Sequence, residues 1–156
     1  MRRFSIVLAL LALGAGALFA QSAEQNIIGI ENGVVFAYNL GTDGLGVGQE
    51  TAINLSINDN LQAGFVFVNG DGGNLPNQTM LRLHYLAGNR FGVTIGAGAT
   101  GGNALAMLGL FGNIFSRTFQ DTLYTALGFR VDYMINTGVA VTDGILSMAL
   151  VAKVGM

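Results

Sequence analysis

The chain has very little charge for its length and contains no cysteine. Charged residues make up 10% of its 156 residues, and the formal net charge is −2. An average soluble domain carries about 25% charged residues, so the surface of an ordinary soluble protein is not expected here. The absence of cysteine excludes a disulfide framework, a thiolate metal site and a thiol nucleophile. No basic patch is present, so nucleic acid is not an expected partner.

What the chain has instead is apolar residues and glycine. Hydrophobic residues make up 51% of the sequence, which also holds 24 glycines, one proline and no tryptophan. High hydrophobicity with a small net charge excludes intrinsic disorder. The length is enough for one domain. Together these features favour a single-domain membrane protein.

The first residues have the order of a secretory signal peptide. Arg2 and Arg3 form a positively charged start, Phe4–Ala17 is apolar except for one serine, and small residues lead up to Ala20. Such a segment is too short and wrongly flanked for a stable membrane span. We therefore predict a cleaved signal peptide at residues 1–20 and an exported mature chain at residues 21–156.

The rest of the chain alternates with a period of two, which is typical of β-strands. The clearest run sets Leu127, Phe129 and Val131 on one face against Arg130 and Asp132 on the other. Breaks rich in glycine, asparagine and aspartate separate the runs and indicate turns. The pattern predicts eight strands of transmembrane length. They are Ile28–Leu40, Glu50–Asn58, Leu61–Asn69, Thr79–Tyr85, Phe91–Ala99, Asn103–Phe115, Leu123–Tyr133 and Leu146–Met156.

The composition of the two faces indicates which one points outward. The polar face consists mostly of small residues with few charges, which suits a narrow barrel interior better than a water-facing surface. The aromatic residues Phe36, Tyr38, Phe67 and Tyr133 fall near one rim of such a barrel, as in interfacial girdles. We therefore predict an all-β fold, an eight-stranded antiparallel up-and-down transmembrane β-barrel with its apolar face toward lipid.

Two other architectures compete with the barrel. The uncharged stretch Phe91–Phe115 is long enough to cross a bilayer as a helix, which would make the chain a polytopic helical membrane protein. Its many glycines, including Gly101 and Gly102, lower its helix propensity. The third architecture is a soluble β-barrel that binds a lipid.

The signal peptide, the eight alternating strands and the terminal strand Leu146–Met156 resemble the small bacterial outer-membrane barrels, such as the OmpA transmembrane-domain, OmpX and OmpW types. The resemblance is one of architecture over the whole mature chain. It implies a location in the outer membrane of a Gram-negative-type envelope, contact with membrane lipids and insertion by the barrel-assembly machinery. Met156 stands where those families usually end in phenylalanine.

Seven polar residues share the inward parity and are our candidate site residues. Because buried charges are costly unless paired, we expect the three cations to form salt bridges with the three carboxylates inside the barrel. The network would either fill the lumen or set the selectivity of a narrow polar channel. The candidates are Glu31, Glu50, Arg82, His84, Arg130, Asp132 and Lys153.

The function expected from these patterns is a structural role, with porin-like permeation of small or apolar solutes as a further contribution. His84 could be drawn with Asp132 and either Ser56 or Ser147 as a catalytic set, but no motif spacing supports it. We expect no enzymatic activity, cofactor or metal, and a monomer. The alternatives are surface interaction through the loops, in the manner of an adhesin, and a lipid-modifying barrel enzyme.

Overall fold

The computed structural model describes residues 28–58, 60–87, 91–119, 123–137 and 143–156. The predicted signal peptide lies outside these residues. Eight strands account for most of the described chain, and each takes its label in chain order. They are β1 (Ile28–Asn39), β2 (Gly44–Asn58), β3 (Leu61–Gly70), β4 (Gln78–Leu86), β5 (Phe91–Thr100), β6 (Asn103–Phe119), β7 (Leu123–Asn136) and β8 (Ile145–Gly155).

The strands form one closed, antiparallel up-and-down barrel, which confirms the predicted fold. Each strand pairs with the next along the chain, and β8 pairs with β1, so no strand edge is left open. Following Cα partners once around the barrel from Gly29 returns to β1 ten residues further on, at Asn39, so the strands are strongly staggered. The partners on this path are Asn54, Gly64, Arg82, Gly96, Met107, Met134 and Ile145.

The two ends of the barrel differ in what they carry. The chain-end rim holds the start of β1, the end of β8 and the β2–β3, β4–β5 and β6–β7 connections. The loop rim holds the other four connections. The structure describes all of these residues except 138–142, between β7 and β8.

Two strand boundaries differ from the sequence prediction by more than three residues, and the others by three or fewer. β2 begins at Gly44 rather than Glu50, because glycines alternate with Leu45 and Val47 and supply no polar signal on the inner face. β6 continues to Phe119, and its register shifts between Asn113 and Phe115, so the simple alternation is interrupted there. Leu40, expected on the outer face, is buried in the β1–β2 turn, where its N–H donates to the Gly144 carbonyl.

The uncharged stretch that suggested a membrane helix is a β-hairpin. Phe91–Thr100 and Asn103–Phe119 pair directly, and Gly101 and Gly102 form the two-residue turn between them. Both glycines have positive φ angles, 54° and 88°, as the central residues of a type I′ turn require. The helical alternative for this stretch is therefore wrong. Within the described ranges no helix has the length and apolar character needed to cross a membrane.

The barrel is apolar outside, and its charged strand residues lie mainly inside. Leu81 and Leu108 on the outer face are 67% and 62% exposed, whereas Glu50 and Arg82 on the inner face are 0% and 1% exposed. A soluble barrel needs the opposite distribution, since contiguous exposed apolar surface of this kind marks an interaction with a partner or a membrane. The inner and outer faces are thus mostly those that the period-two pattern predicted, but Val131 and Leu146, assigned to the outer face, are buried.

Candidate functional site: the filled lumen

The inside of the barrel is divided into two layers. The charged layer, from the middle of the lumen to the chain-end rim, consists of Glu31, Glu50, Arg82, Arg130, Asp132 and Lys153. The apolar layer, from the middle to the loop rim, consists mainly of buried aliphatic side chains, with the buried amide of Gln78 among them. Its members are Val35, Val68, Leu75, Met80, Leu105, Met107, Met134 and Ile145.

Arg82 crosses the lumen from β4 to meet carboxylates on β1 and β2. Its Nη2 lies 2.9 Å from Glu31 Oε1 and its Nη1 lies 2.6 Å from Glu50 Oε1. The Cα partners of Arg82 on both neighbouring strands are glycines, Gly64 and Gly96, so no side chain stands beside it. Small residues at these inward positions give the guanidinium group room to reach the far wall.

Arg130 approaches the same two glutamates from β7. Its Nη1 lies 3.3 Å from Glu31 Oε1 and 2.7 Å from Glu50 Oε1, and its Nη2 donates to Glu50 Oε2. Its Nε donates to Asp132 Oδ2 at 2.5 Å. Each of the two arginines therefore binds both glutamates, and four strands are tied together across the barrel.

Lys153 completes the charge balance of this layer. Its Nζ lies 3.5 Å from Glu31 Oε2 and 5.2 Å from the centroid of the Phe111 ring. Two arginines and one lysine thus face two glutamates and one aspartate, and the layer has no net formal charge. Since an unpaired buried charge is strongly destabilising, this pairing is what allows ionised groups to fill the lumen.

His84 has the predicted inward orientation but does not form part of the ion-pair network. Its ring packs edge-on against Phe111, with centroids 4.5 Å apart and an interplanar angle of 77°. Neither ring nitrogen has a hydrogen-bond partner among the described residues. His84 is therefore a buried, aromatic-packed side chain at the side of the charged layer.

Of the residues that could have formed a catalytic set, His84 is not bonded to the others. Ser147 is the Cα partner of Asp132. Neither the ring nitrogens of His84 nor the Ser147 hydroxyl has a hydrogen-bond partner among the described residues, so no relay joins them to Asp132. Ser56 is paired with Gln62 on β3, whose Nε2 lies 3.5 Å from the Ser56 hydroxyl.

The loop between β3 and β4 covers the apolar layer at the loop rim, which the sequence did not predict. Leu75, fully buried, inserts its side chain into the barrel mouth. A Cβ atom at Gly46 or Gly48 would come within 2.9 Å of the Leu75 side chain, so the glycines of β2 make the socket for it. Alternate glycines opposite a loop leucine are the sequence signal that could have suggested this contact.

Asp71 holds this loop in shape. Its Oδ1 accepts the backbone N–H groups of Gly73 and Leu75, each at 3.0 Å, and its Oδ2 accepts that of Val47 at 3.3 Å. These backbone donors, with Leu75 first, lower the pKa of the exposed Asp71 carboxyl below its ordinary value. The side chain of Asn74 adds a bond from its Nδ2 to the Leu45 carbonyl at 2.8 Å.

Two cavities lie at opposite ends of the lumen. The one at the chain-end rim has about 50 Å³ and is bordered by Asn54, Asn113 and Lys153. The one at the loop rim has about 430 Å³, with Leu105, Met134 and Ile145 among its lining residues. The buried side chains of both layers separate the two cavities. In the part of the chain that the structure describes, no group of three or more His, Asp or Glu residues is placed to hold a metal ion.

The fold, the apolar exterior and the filled interior define a small transmembrane-type β-barrel. No protein-family model and no curated protein sequence matches the chain. Among solved structures it is similar to one described as "De novo design of transmembrane beta-barrels", with a TM-score of 0.50 and 13% sequence identity, covering 85% of this chain and 98% of that chain. At this level of identity the similarity concerns the fold alone.

Proposed function

We propose that the chain is a small integral outer-membrane barrel with a structural role and a lumen that is closed at rest. The observation that carries this proposal is the bonding of Arg82 and Arg130 to both Glu31 and Glu50, which fills the lumen cross-section with buried ion pairs. An eight-stranded barrel has an interior only wide enough for side chains to fill, so little space remains for solute.

The outer-membrane location is supported by the sequence and by the apolar exterior together. Residues 1–20 have the pattern of an export signal, and the strand-crossing architecture resembles that of bacterial outer-membrane barrels. By the same resemblance, the chain is inserted by the barrel-assembly machinery and its main partners are membrane lipids. Fractionation of an expressing Gram-negative host tests this: the processed chain is expected in the outer membrane, and recovery from the cytoplasm would contradict the proposal.

Conductance measurements test the closed lumen. The protein is purified from membranes, reconstituted in planar lipid bilayers and compared with a known open porin. We expect no steady conductance steps from the wild-type chain. Regular ohmic steps, in a sample whose barrel form is verified by a boiling-dependent shift in gel mobility, would overturn the closed-lumen proposal.

Permeation of small apolar solutes is a second candidate, and the cavity at the loop rim is the observation that favours it. Its lining combines apolar Leu105, Met134 and Ile145 with polar Asn39 and Thr100, the combination that small-molecule pockets use. Passage beyond this cavity requires displacement of both layers. Swelling of liposomes in small neutral solutes would measure it, with protein-free liposomes as the control.

We do not propose catalysis or an adhesin-like role. His84, Asp132 and Ser147 lie inside the barrel and are not assembled, so a lipid substrate outside has no access to them. The described loop of residues 71–77 folds back over the barrel mouth through Leu75 instead of projecting from it.

A further inference from the structure

The outer face of β1 and β2 carries three polar side chains in the middle of the apolar band. Asn32, Gln49 and Thr51, which we call the polar strip, point outward, and Asn32 and Gln49 are exposed. On the same face of β2, Val47 and Ile53 stand on either side of them, and each is 51% exposed. The strip therefore lies at the depth of the lipid tails and not at a rim.

The hydrogen bonds of the strip are only partly satisfied. Thr51 Oγ1 donates to Asn32 Oδ1 at 2.8 Å, across the β1–β2 pair. The Asn32 amide nitrogen and both ends of the Gln49 amide have no hydrogen-bond partner among the described residues. Lipid tails offer none, and an unsatisfied polar group in hydrocarbon costs several kcal/mol.

The chemistry of the strip restricts what can cover it. The strip and the groove beside it carry no charged side chain, so an anionic lipid headgroup has no cation to bind there. The groove has about 470 Å³ and extends from Gln49 and Thr51 past Phe67 and Thr79 to Gly101 at the loop rim. This chemistry fits an uncharged, hydrogen-bonding surface of another membrane-embedded protein.

We propose that this partner is a second copy of the same chain. Two barrels inserted in the same direction bring their strips to the same depth, and a two-fold axis along the membrane normal places each strip against the other. An amide both donates and accepts, so Gln49 and Asn32 of one copy satisfy those of the other. Polar side chains join membrane segments in this way elsewhere. This departs from the monomer expected from the sequence.

The absence of native cysteine makes a direct test available. Gln49→Cys is compared with Leu108→Cys, which replaces an exposed residue of the outer face on β6, away from the strip. The full-length protein is reconstituted in phosphatidylcholine vesicles and oxidised with copper phenanthroline, which enters bilayers. We expect a disulfide-linked dimer from Gln49→Cys and little from Leu108→Cys. Equal cross-linking of the two variants, or none in either, would overturn the proposal.

A second experiment measures association by energy transfer in variants that lack the polar groups of the strip. It needs no cysteine within the strip. The carrier variant Asn60→Cys, in an exposed turn, is labelled with donor or acceptor dye, and energy transfer is followed as the protein-to-lipid ratio rises. In this background Asn32→Leu/Gln49→Leu is expected to weaken association about ten-fold, while Leu108→Ala leaves it unchanged. Unaltered energy transfer in the double variant would show that the strip does not mediate association. Boiling-dependent gel mobility verifies that each variant is folded.

Discussion

The two layers of the lumen fill the same barrel by different means. In the charged layer, Arg82 and Arg130 each bind Glu31 and Glu50 through specific atoms, so each charged group depends on a particular partner. In the apolar layer, side chains such as Met80, Met107 and Leu75 need only fill the volume. We therefore expect the removal of one charged side chain from the charged layer to lower the free energy of unfolding far more than a volume-conserving substitution in the apolar layer.

The largest effect is expected from Arg130→Met. This change leaves Glu31, Glu50 and Asp132 with only Arg82 and the partly buried Lys153 as cations, and breaking a buried pair in this way costs about 3–5 kcal/mol. The measurement is urea unfolding in detergent micelles. Met107→Leu in the apolar layer is the control and is expected to cost less than about 1.5 kcal/mol. Equal losses in the two variants would contradict the distinction between the layers.

Leu75→Ala tests the cover of the apolar layer. Removing this fully buried side chain leaves a cavity in the glycine socket and is expected to lower the free energy of unfolding by about 2–3 kcal/mol. Liposome swelling by small neutral solutes should rise only slightly, because the charged layer still fills the lumen below. A large rise would instead identify Leu75 as the main barrier to solutes.

A double-mutant cycle on Arg130 and Asp132 measures the coupling energy of a single ion pair in the charged layer. Because Arg130 Nε donates directly to Asp132, the combination of Arg130→Met and Asp132→Asn should show a coupling energy of about 1–2 kcal/mol. The corresponding cycle in the apolar layer, Met80→Leu with Leu105→Val, should give a smaller value. Additive effects for Arg130 and Asp132 would mean that this ion pair does not contribute to stability.

The smallest effect is expected from acid. The pKa of Asp71 is lowered by backbone N–H donors, so its stabilisation of the loop is present above the ordinary pKa of an aspartate, about 4. It is lost as the pH falls through the lowered pKa of the folded state. The protection of the Gly73 and Leu75 amides from hydrogen exchange, corrected for intrinsic rates, should therefore decrease from neutral pH to acid. The protection of amides within β7 should change less. In Asp71→Asn this pH dependence should disappear.

The sequence was informative about which residues face inward and much less about which of them meet. Alternation assigned Glu31, Arg82 and Lys153 to one face correctly, because the period of a strand is two regardless of its neighbours. The partners depend on the stagger between strands, which alternation does not contain. It is this stagger that brings Arg82 and Arg130 to the same two glutamates and leaves His84 outside the network.

Glycine caused the main failures of prediction. At Gly46 and Gly48 the inner face of β2 has no side chain, so the strand was predicted to begin too late, and the loop leucine that fills the space was not recognised. In Phe91–Phe115 the same residue helped, because Gly101 and Gly102 argued against a helix and form the turn of the hairpin. What a glycine indicates about the fold therefore depends on which group occupies the space beside it.

The balance of charges in the lumen has an electrical consequence. Moving one elementary charge across a membrane changes its electrical energy by about 2.3 kcal/mol per 100 mV of membrane potential. The three cations and three anions of the charged layer experience opposing forces, so a potential of either sign does no net work in moving the layer as a whole. A voltage can therefore act on this layer only by pulling its cations and anions apart, which the ion pairs oppose.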